Sequence, residues 1–193
     1  MDRSIGLFFG SFNPIHTGHL IIASAIAEEA NLEKIWFVVS PQNPFKPSKS
    51  LLHEFDRYDM VQAAIADNHR LMVSDVEFHL PRPSFTIHTL DHLRAKYPEK
   101  KFSLIIGQDN LESFHKWKEP DRILESCNLL VYPRPDAKPN ELLLHPAVKL
   151  VDAPLMDISA TYIRDLVKNK KSIRYLVPEP VAEIISRKGF YLD

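Results

Sequence analysis

Residues 5–19 read IGLFFGSFNPIHTGH, and this stretch decides the architecture. The segment from Ser4 to Phe9 is nearly all apolar, without the alternation of a half-exposed strand, which predicts a strand buried on both faces. Thr17 to Ala30 (TGHLIIASAIAEEA) has helical spacing and good helix formers. The ten residues that join them, Gly10 to His19, hold two of the five glycines in the chain. Gly10 is expected to let the chain turn sharply and to let another group approach its backbone. Gly18 is expected to leave the helix N-terminus open, where N–H groups and the helix dipole favour an anion. His16 and His19, one turn apart, fall on the same side of that helix start. Each can donate to phosphate oxygens, and either could carry partial positive charge near neutrality. On local chemistry alone the pair suits phosphate binding, helix capping or a zinc pair, although no Cys or third ligand stands nearby at metal spacing. The turn is neither a Walker loop nor a dinucleotide GxGxxG.

The rest of the chain repeats the strand–helix alternation. Strands are predicted at KIWFVVS (34–40), LMVSD (71–75), FSLIIG (102–107), CNLLVYP (127–133) and VKLVDAP (148–154). Helices are predicted at 54–67 and 86–97, with a short one after the QDN at 108–110, and at ISATYIRDLVKN (158–169) and VPEPVAEIISRK (177–188). Apolar runs separated by amphipathic stretches argue for an α/β fold, a doubly wound and mainly parallel sheet with helices on both faces and a helical C-terminal part from about residue 158. One domain over residues 1–193 is expected. PQNPFKPSK (41–49) and PRPDAKP (133–139) cannot be central strands, and both follow predicted strands, where ligands of open α/β sheets bind.

Composition narrows the function classes. The 24 basic residues nearly balance the 25 acidic ones, giving a formal net charge of −1, which is no footprint for a nucleic acid and leaves room only for a small polyanion held locally. No apolar run approaches the ~20 residues of a membrane span. The lone Cys127 precludes an internal disulfide, fits a reducing compartment and reads as a buried, inert thiol. A cytoplasmic protein that touches neither nucleic acid nor membrane is the expectation; whether it forms a homo-oligomer is left open.

The sequence His16-Thr17-Gly18-His19 after a first strand resembles the HxGH signature of the nucleotidylyltransferase superfamily. Ile158-Ser159-Ala160-Thr161-Tyr162-Ile163-Arg164 resembles its second, ISxTxIR-like signature at the start of a late helix. Nearly end to end, the chain is most similar to bacterial nicotinate-nucleotide adenylyltransferases, through GSFNPIHTGH, RYDMVQAAI, PSFTIHTL, FSLIIGQDNLESFHKW, VYPRP and YLVPEPVAEII. It departs from the family pattern at Asn13 (usually Asp), Ala160 (usually Ser), His88 (usually Asp) and Phe45 (usually His).

The resemblance implies a Rossmann-like nucleotidylyltransferase fold and transfer of the adenylyl group of ATP to nicotinate mononucleotide. It implies ATP contacts from Gly10, Ser11, Phe12, His16, Gly18, His19, Ser159, Thr161 and Arg164, with His16, His19 and Arg164 catalytic. It implies mononucleotide contacts from Lys46, Thr86, Asp109, Trp117 and Arg134. Trp117 would stack on the pyridine ring and Lys46 and Arg134 would hold the phosphate. No protein metal site is implied; Mg2+ would arrive with ATP. The alternatives are the same transfer onto nicotinamide mononucleotide or another phosphate acceptor, and a silent nucleotide-binding module. The retention of both histidines, Thr161 and Arg164 argues against the last.

Overall fold

The computed structural model describes residues 4–42, 51–135 and 137–192. Six strands, β1 (Ile5–Gly10), β2 (Lys34–Val39), β3 (Leu71–Ser74), β4 (Phe102–Gly107), β5 (Asn128–Tyr132) and β6 (Val148–Leu150), form one sheet in the order β3-β2-β1-β4-β5-β6. Every pairing is parallel. The six α-helices are α1 (Thr17–Glu29), α2 (Glu54–Ala64), α3 (Thr86–Lys96), α4 (Pro120–Ser126), α5 (Ala160–Lys168) and α6 (Glu179–Lys188).

The uninterrupted apolar runs follow from burial of both sheet faces. Alternate residues of each strand go to opposite cores. Phe8, Ile35, Phe37, Ile105 and Leu130 face one side, where Ile22 and Ile26 of α1, Val61 of α2, Ile163 of α5 and Val181 and Ile185 of α6 cover them. Leu7, Val38, Leu104, Ile106 and Leu129 face the other, against Ile87, Leu90 and Leu93 of α3 and Ile123 of α4. The helices that follow β1 and β2 therefore lie on one face and those that flank β4, α3 and α4, on the other, as right-handed crossovers demand, while α5 and α6 return to the face of α1 and α2. Helix boundaries follow local chemistry. Pro120 occupies the first turn of α4, the Ser159 hydroxyl accepts the Tyr162 N–H at the start of α5, and Gly189 ends α6 at φ 65°.

The predicted short helix after β4 is instead a long 3-10 segment, Gln108–Lys116, followed by α4. The strand expected through Pro154 stops at Leu150. Cys127 is buried, its Sγ 3.6 Å from the Ile123 carbonyl oxygen, and burial pushes the thiol up to about 11. That matches an inert packing role. Among the described residues, no helix is long and apolar enough to cross a membrane.

The carboxyl ends of β1 and β2 are tied by a residue absent from every apolar pattern. Arg57 of α2 is completely buried. Its Nη1 donates to the carbonyls of Ser11 (2.6 Å) and Ser40 (2.7 Å), Nη2 to Pro41 (2.8 Å) and Nε to Leu52 (2.9 Å). Burial lowers its pKa to about 10, so the guanidinium stays charged at neutral pH. An Arg57→Met variant would leave four carbonyls without their donor, and each buried unsatisfied group costs ~1–3 kcal/mol. A stability loss of at least ~3 kcal/mol is expected in urea denaturation.

Candidate active site

In an open parallel sheet of this order, the strand order reverses between β1 and β4, and a crevice opens beyond their carboxyl ends. The turn after β1 forms one wall. Its sharp bend is made by Phe12, which takes the left-handed conformation at φ 45°. Gly10 does not supply the turn; it supplies room. A Cβ on Gly10 would lie 2.7 Å from the Phe12 ring. That ring is buried against Phe8, Phe37 and His19, so any contact of Phe12 with a nucleotide is left to its main chain.

The two histidines of the opening motif meet. Their rings stack with centroids 3.7 Å apart and planes 27° apart. The His16 main-chain N–H donates to His19 Nδ1 at 3.3 Å. In the neutral ring this bond places the His19 proton on Nε2. His16 packs over Gly18, where a Cβ would lie 3.1 Å from His16 Nδ1. The space expected to be open above Gly18 is thus filled by an imidazole. His16 Nδ1 itself is buried and, among the described residues, has no hydrogen-bond partner.

The expectation of partial positive charge near neutrality is corrected. Burial first, and then the nearby Arg134 guanidinium, lower the His16 pKa to about 4. Burial, then His16, then Arg134 hold His19 well below the ordinary histidine range. At neutral pH, without ligand, both rings are neutral.

The second motif joins the first. Ile158 Cβ lies 3.7 Å from the point where a Gly18 Cβ would be, so the segment entering α5 abuts the start of α1. Arg164 Nη1 donates to the Asn13 carbonyl at 2.8 Å and Nη2 to the Thr161 hydroxyl at 3.0 Å. The Ser159 hydroxyl is occupied as the cap of α5. These two hydroxyls order the helix start and the arginine. The Asn13 side-chain oxygen, in turn, accepts the Tyr191 hydroxyl at 2.9 Å and the Leu52 N–H at 3.3 Å.

The opposite wall comes from β4, β5 and α3. Asp109 Oδ1 lies 3.8 Å from Arg134 Nε, and Arg134 Nη1 donates to the Met156 carbonyl at 3.3 Å. Arg134 therefore stands between Asp109 and the histidine pair. Between this wall and the end of β1 opens a cavity of about 160 Å3, lined by residues that include Gly10, Ser11, Glu77, Thr86 and Trp117. A cavity of about 150 Å3 can take up a benzene ring, so this one suits a single aromatic ring. Trp117 is half-buried and packs on Phe114, centroids 5.2 Å apart. Lys46 lies outside the described residues.

A family model described as cytidylyltransferase-like matches residues 7–166. A protein of Cytophaga hutchinsonii named as a probable nicotinate-nucleotide adenylyltransferase is 58% identical over 97% of each chain. One of Flavobacterium johnsoniae with the same name is 48% identical over 97% of this chain and 98% of its own. The chain belongs to the cytidylyltransferase-like family, and within it to the nicotinate-nucleotide adenylyltransferases. Its fold matches that of the Plasmodium falciparum nicotinic acid mononucleotide adenylyltransferase complexed with NaAD, at TM-score 0.82 and 20% identity over 98% of this chain and 97% of that one.

Three residues that shape this adenylyltransferase site escaped the sequence reading. Arg57 sits in the family-like RYDM, but a buried cation that bonds only carbonyls has no spacing signature. Tyr191 touches Asn13 across almost the whole chain length, so nothing local marks it. Glu77, in a 3-10 turn (Val76–His79), is buried in the cavity wall.

Because His16 binds protons more weakly in the folded chain than an unfolded histidine does, its contribution to stability is complete above pH ~6.5. It declines as pH falls from 6.5 toward 4, by up to ~3 kcal/mol, as the unfolded state takes up protons that the folded state refuses. Urea denaturation between pH 7 and 4.5 is expected to show this decline, with a shallower slope in a His16→Asn variant.

Proposed function

We propose that these residues carry the family's reaction: transfer of the adenylyl group of ATP to nicotinate mononucleotide, giving deamido-NAD and pyrophosphate for NAD biosynthesis. The observation that carries the reading is the meeting of two motif-bearing helix starts, α1 and α5, beside a cavity of the size of one aromatic ring. An oxygen of the mononucleotide 5′-phosphate attacks the α-phosphorus of ATP. The new P–O bond forms as the bond from the α-phosphorus to the bridging oxygen breaks, and the electron pair leaves with pyrophosphate. The chain needs no covalent intermediate. It needs to bring two anions together and to offset the charge that develops between them.

His19 is suited to that task by its fixed tautomer, with Nε2–H as the free donor. Neutral rings bind no anion by charge before substrate arrives, but phosphate oxygens beside them favour the protonated form and raise the pKa. His16 can gain positive charge in this way as the nucleotide enters, while His19, whose Nδ1 accepts the His16 N–H, donates from Nε2 as a neutral ring. Arg164, with two of its donors used to fix its position, keeps the rest for phosphate oxygens. The main chain of Gly10 to Phe12, Gly18 and the α5 start bearing Ser159 and Thr161 complete the ATP side. Thr86 and Trp117 take the pyridine ring and its carboxylate, Asp109 the ribose hydroxyls, and Arg134, with Lys46, the mononucleotide phosphate.

Among the described residues no group of three or more His, Cys, Asp or Glu side chains converges to hold a metal ion. We treat Mg2+ as part of the ATP substrate, carried by phosphate oxygens and water, where it would offset phosphate charge. Residues 1–193 act as one domain in this reading. A cytoplasmic setting, which would keep Cys127 reduced, supplies both nucleotides.

Pyrophosphate release with ATP and magnesium, measured in parallel on nicotinate and nicotinamide mononucleotides, tests the proposal. Turnover of the nicotinate compound alone is expected, with kcat reduced at least ~100-fold in a His19→Ala variant, as for loss of a transition-state donor. Equal rates on the two mononucleotides would overturn the substrate assignment. ATP binding without release on either would leave a nucleotide-binding module.

A Gly18→Ala variant probes the packing beneath His16. Its methyl group would press on the imidazole at 3.1 Å. The variant is expected to fold with nearly the parent melting temperature and to lose about ten-fold in kcat/KM, because small misplacements at a reacting centre cost that much or more.

A further inference from the structure

Glu77 is a buried carboxylate, 2% exposed, in the wall of the cavity that receives the ring. Its partners are hydroxyls. Ser84 Oγ donates to Oε2 at 3.0 Å, and Thr89 Oγ1 donates to Oε1 at 2.9 Å. The hydroxyl of Ser40, just past β2, stands near enough to favour the charged carboxylate. Ser84 and Thr89 stand on either side of Thr86, the first residue of α3. That helix starts without a side-chain cap: its N-cap residue is Phe85, so first-turn N–H groups are left for another acceptor. Phe85 and Thr86 line the cavity.

A negative charge is a poor neighbour for a substrate carboxylate, so its use here must lie in geometry. With both oxygens receiving hydroxyl donors from Ser84 and Thr89, Glu77 grips the chain before and after the uncapped helix start. Ser40, the residue after β2, stands beside the same carboxylate. We propose that Glu77 is a positioning residue that holds the N-terminus of α3 at the depth where its N–H groups read the carboxylate on the pyridine ring, and thereby sets the preference for an acid over an amide. The inference rests on the substrate reading above. It assigns Glu77 no contact with the substrate and no part in the phosphoryl transfer.

Steady-state kinetics on Glu77→Gln, Thr89→Val and Thr89→Ser variants test it. The first keeps the shape of the side chain but only one oxygen, and the second removes one hydroxyl at nearly constant volume. Loss of a charge-assisted hydrogen bond predicts a rise of about ten-fold in KM for nicotinate mononucleotide in both. The KM for ATP and kcat should stay within about two-fold of the parent, since α1 and α5 are untouched. The ratio of kcat/KM for the nicotinate over the nicotinamide compound should fall in proportion, and Thr89→Ser, which restores the hydroxyl, should recover it. A parallel rise in both KM values, or lowered thermal stability with the ratio unchanged, would make Glu77 merely structural and overturn the proposal. A lower KM for the nicotinate compound in Glu77→Gln would also overturn it, since the charge would then be a penalty and not a clamp. Should Glu77→Gln fail to fold, the Thr89 pair carries the test alone. A parent enzyme without preference between the two mononucleotides would overturn the substrate reading itself. A parent with the preference, and variants that keep it, would overturn only the role of Glu77.

Discussion

The Arg57 guanidinium donates to main-chain carbonyls at the ends of β1 and β2 and just before α2, and with them it sets the floor of the site. Parallel strands bring all their carboxyl ends to one edge, but they leave the carbonyls of the departing loops without ladder partners. A neutral side chain could satisfy one or two of these. A planar fork with five donors can satisfy four from separate segments at once. The cost is a buried charge, tolerated because four carbonyl dipoles point at the cation and the Glu54 carboxylate favours it from nearby. Ser11, at the heart of the first motif, is held by the same group that holds the end of β2.

On that floor the first motif achieves a compact arrangement of donors by packing. Phe12 bends the chain, Gly10 makes room for the Phe12 ring, and the ring supports His19 from below. Gly18 makes room for His16, which stacks on His19. Each of the two glycines is thus required by an aromatic ring that lies against it, and not by its own backbone angle. The electrostatic result is a pair of neutral imidazoles beside an arginine. Burial and that arginine hold the pair low in pKa, so the fixed positive charge of the site is carried by its arginines.

The two halves of the site are built differently. The half proposed for the phosphates has arginines held by main-chain acceptors, Arg164 by Asn13 and Arg134 by Met156, and imidazoles held by stacking and, at His19, by a main-chain donor. The ring half relies on an aromatic wall at Trp117 and on an uncapped helix start steadied by hydroxyls on Glu77. Near the ring, the side chains of Glu77, Ser84 and Thr89 satisfy one another and leave the first N–H groups of α3 to an outside acceptor. That division suits a reaction whose chemistry takes place at phosphorus and whose selectivity lies at the far end of the mononucleotide.

The sequence by itself determined the sheet and the location of the chemistry. Runs such as LFF, IWFVV and SLIIG have no polar face to leave in water, so their strands had to be buried on both sides, and a parallel sheet with helices on both faces is the arrangement that does this. The HTGH and ISATYIR segments stood at helix starts because their local pattern is that of helix entry. Tertiary structure alone decided how those segments act. Ionisation of His16 and His19 depends on burial, at His19 on its partner ring, and on Arg134, which comes from the loop after β5. The roles of Arg57, Glu77 and Tyr191 arise from partners distant in the chain, which no periodicity encodes. The turn assigned to Gly10 fell to Phe12, because a glycine's freedom is legible in sequence while the ring that needs its space is not.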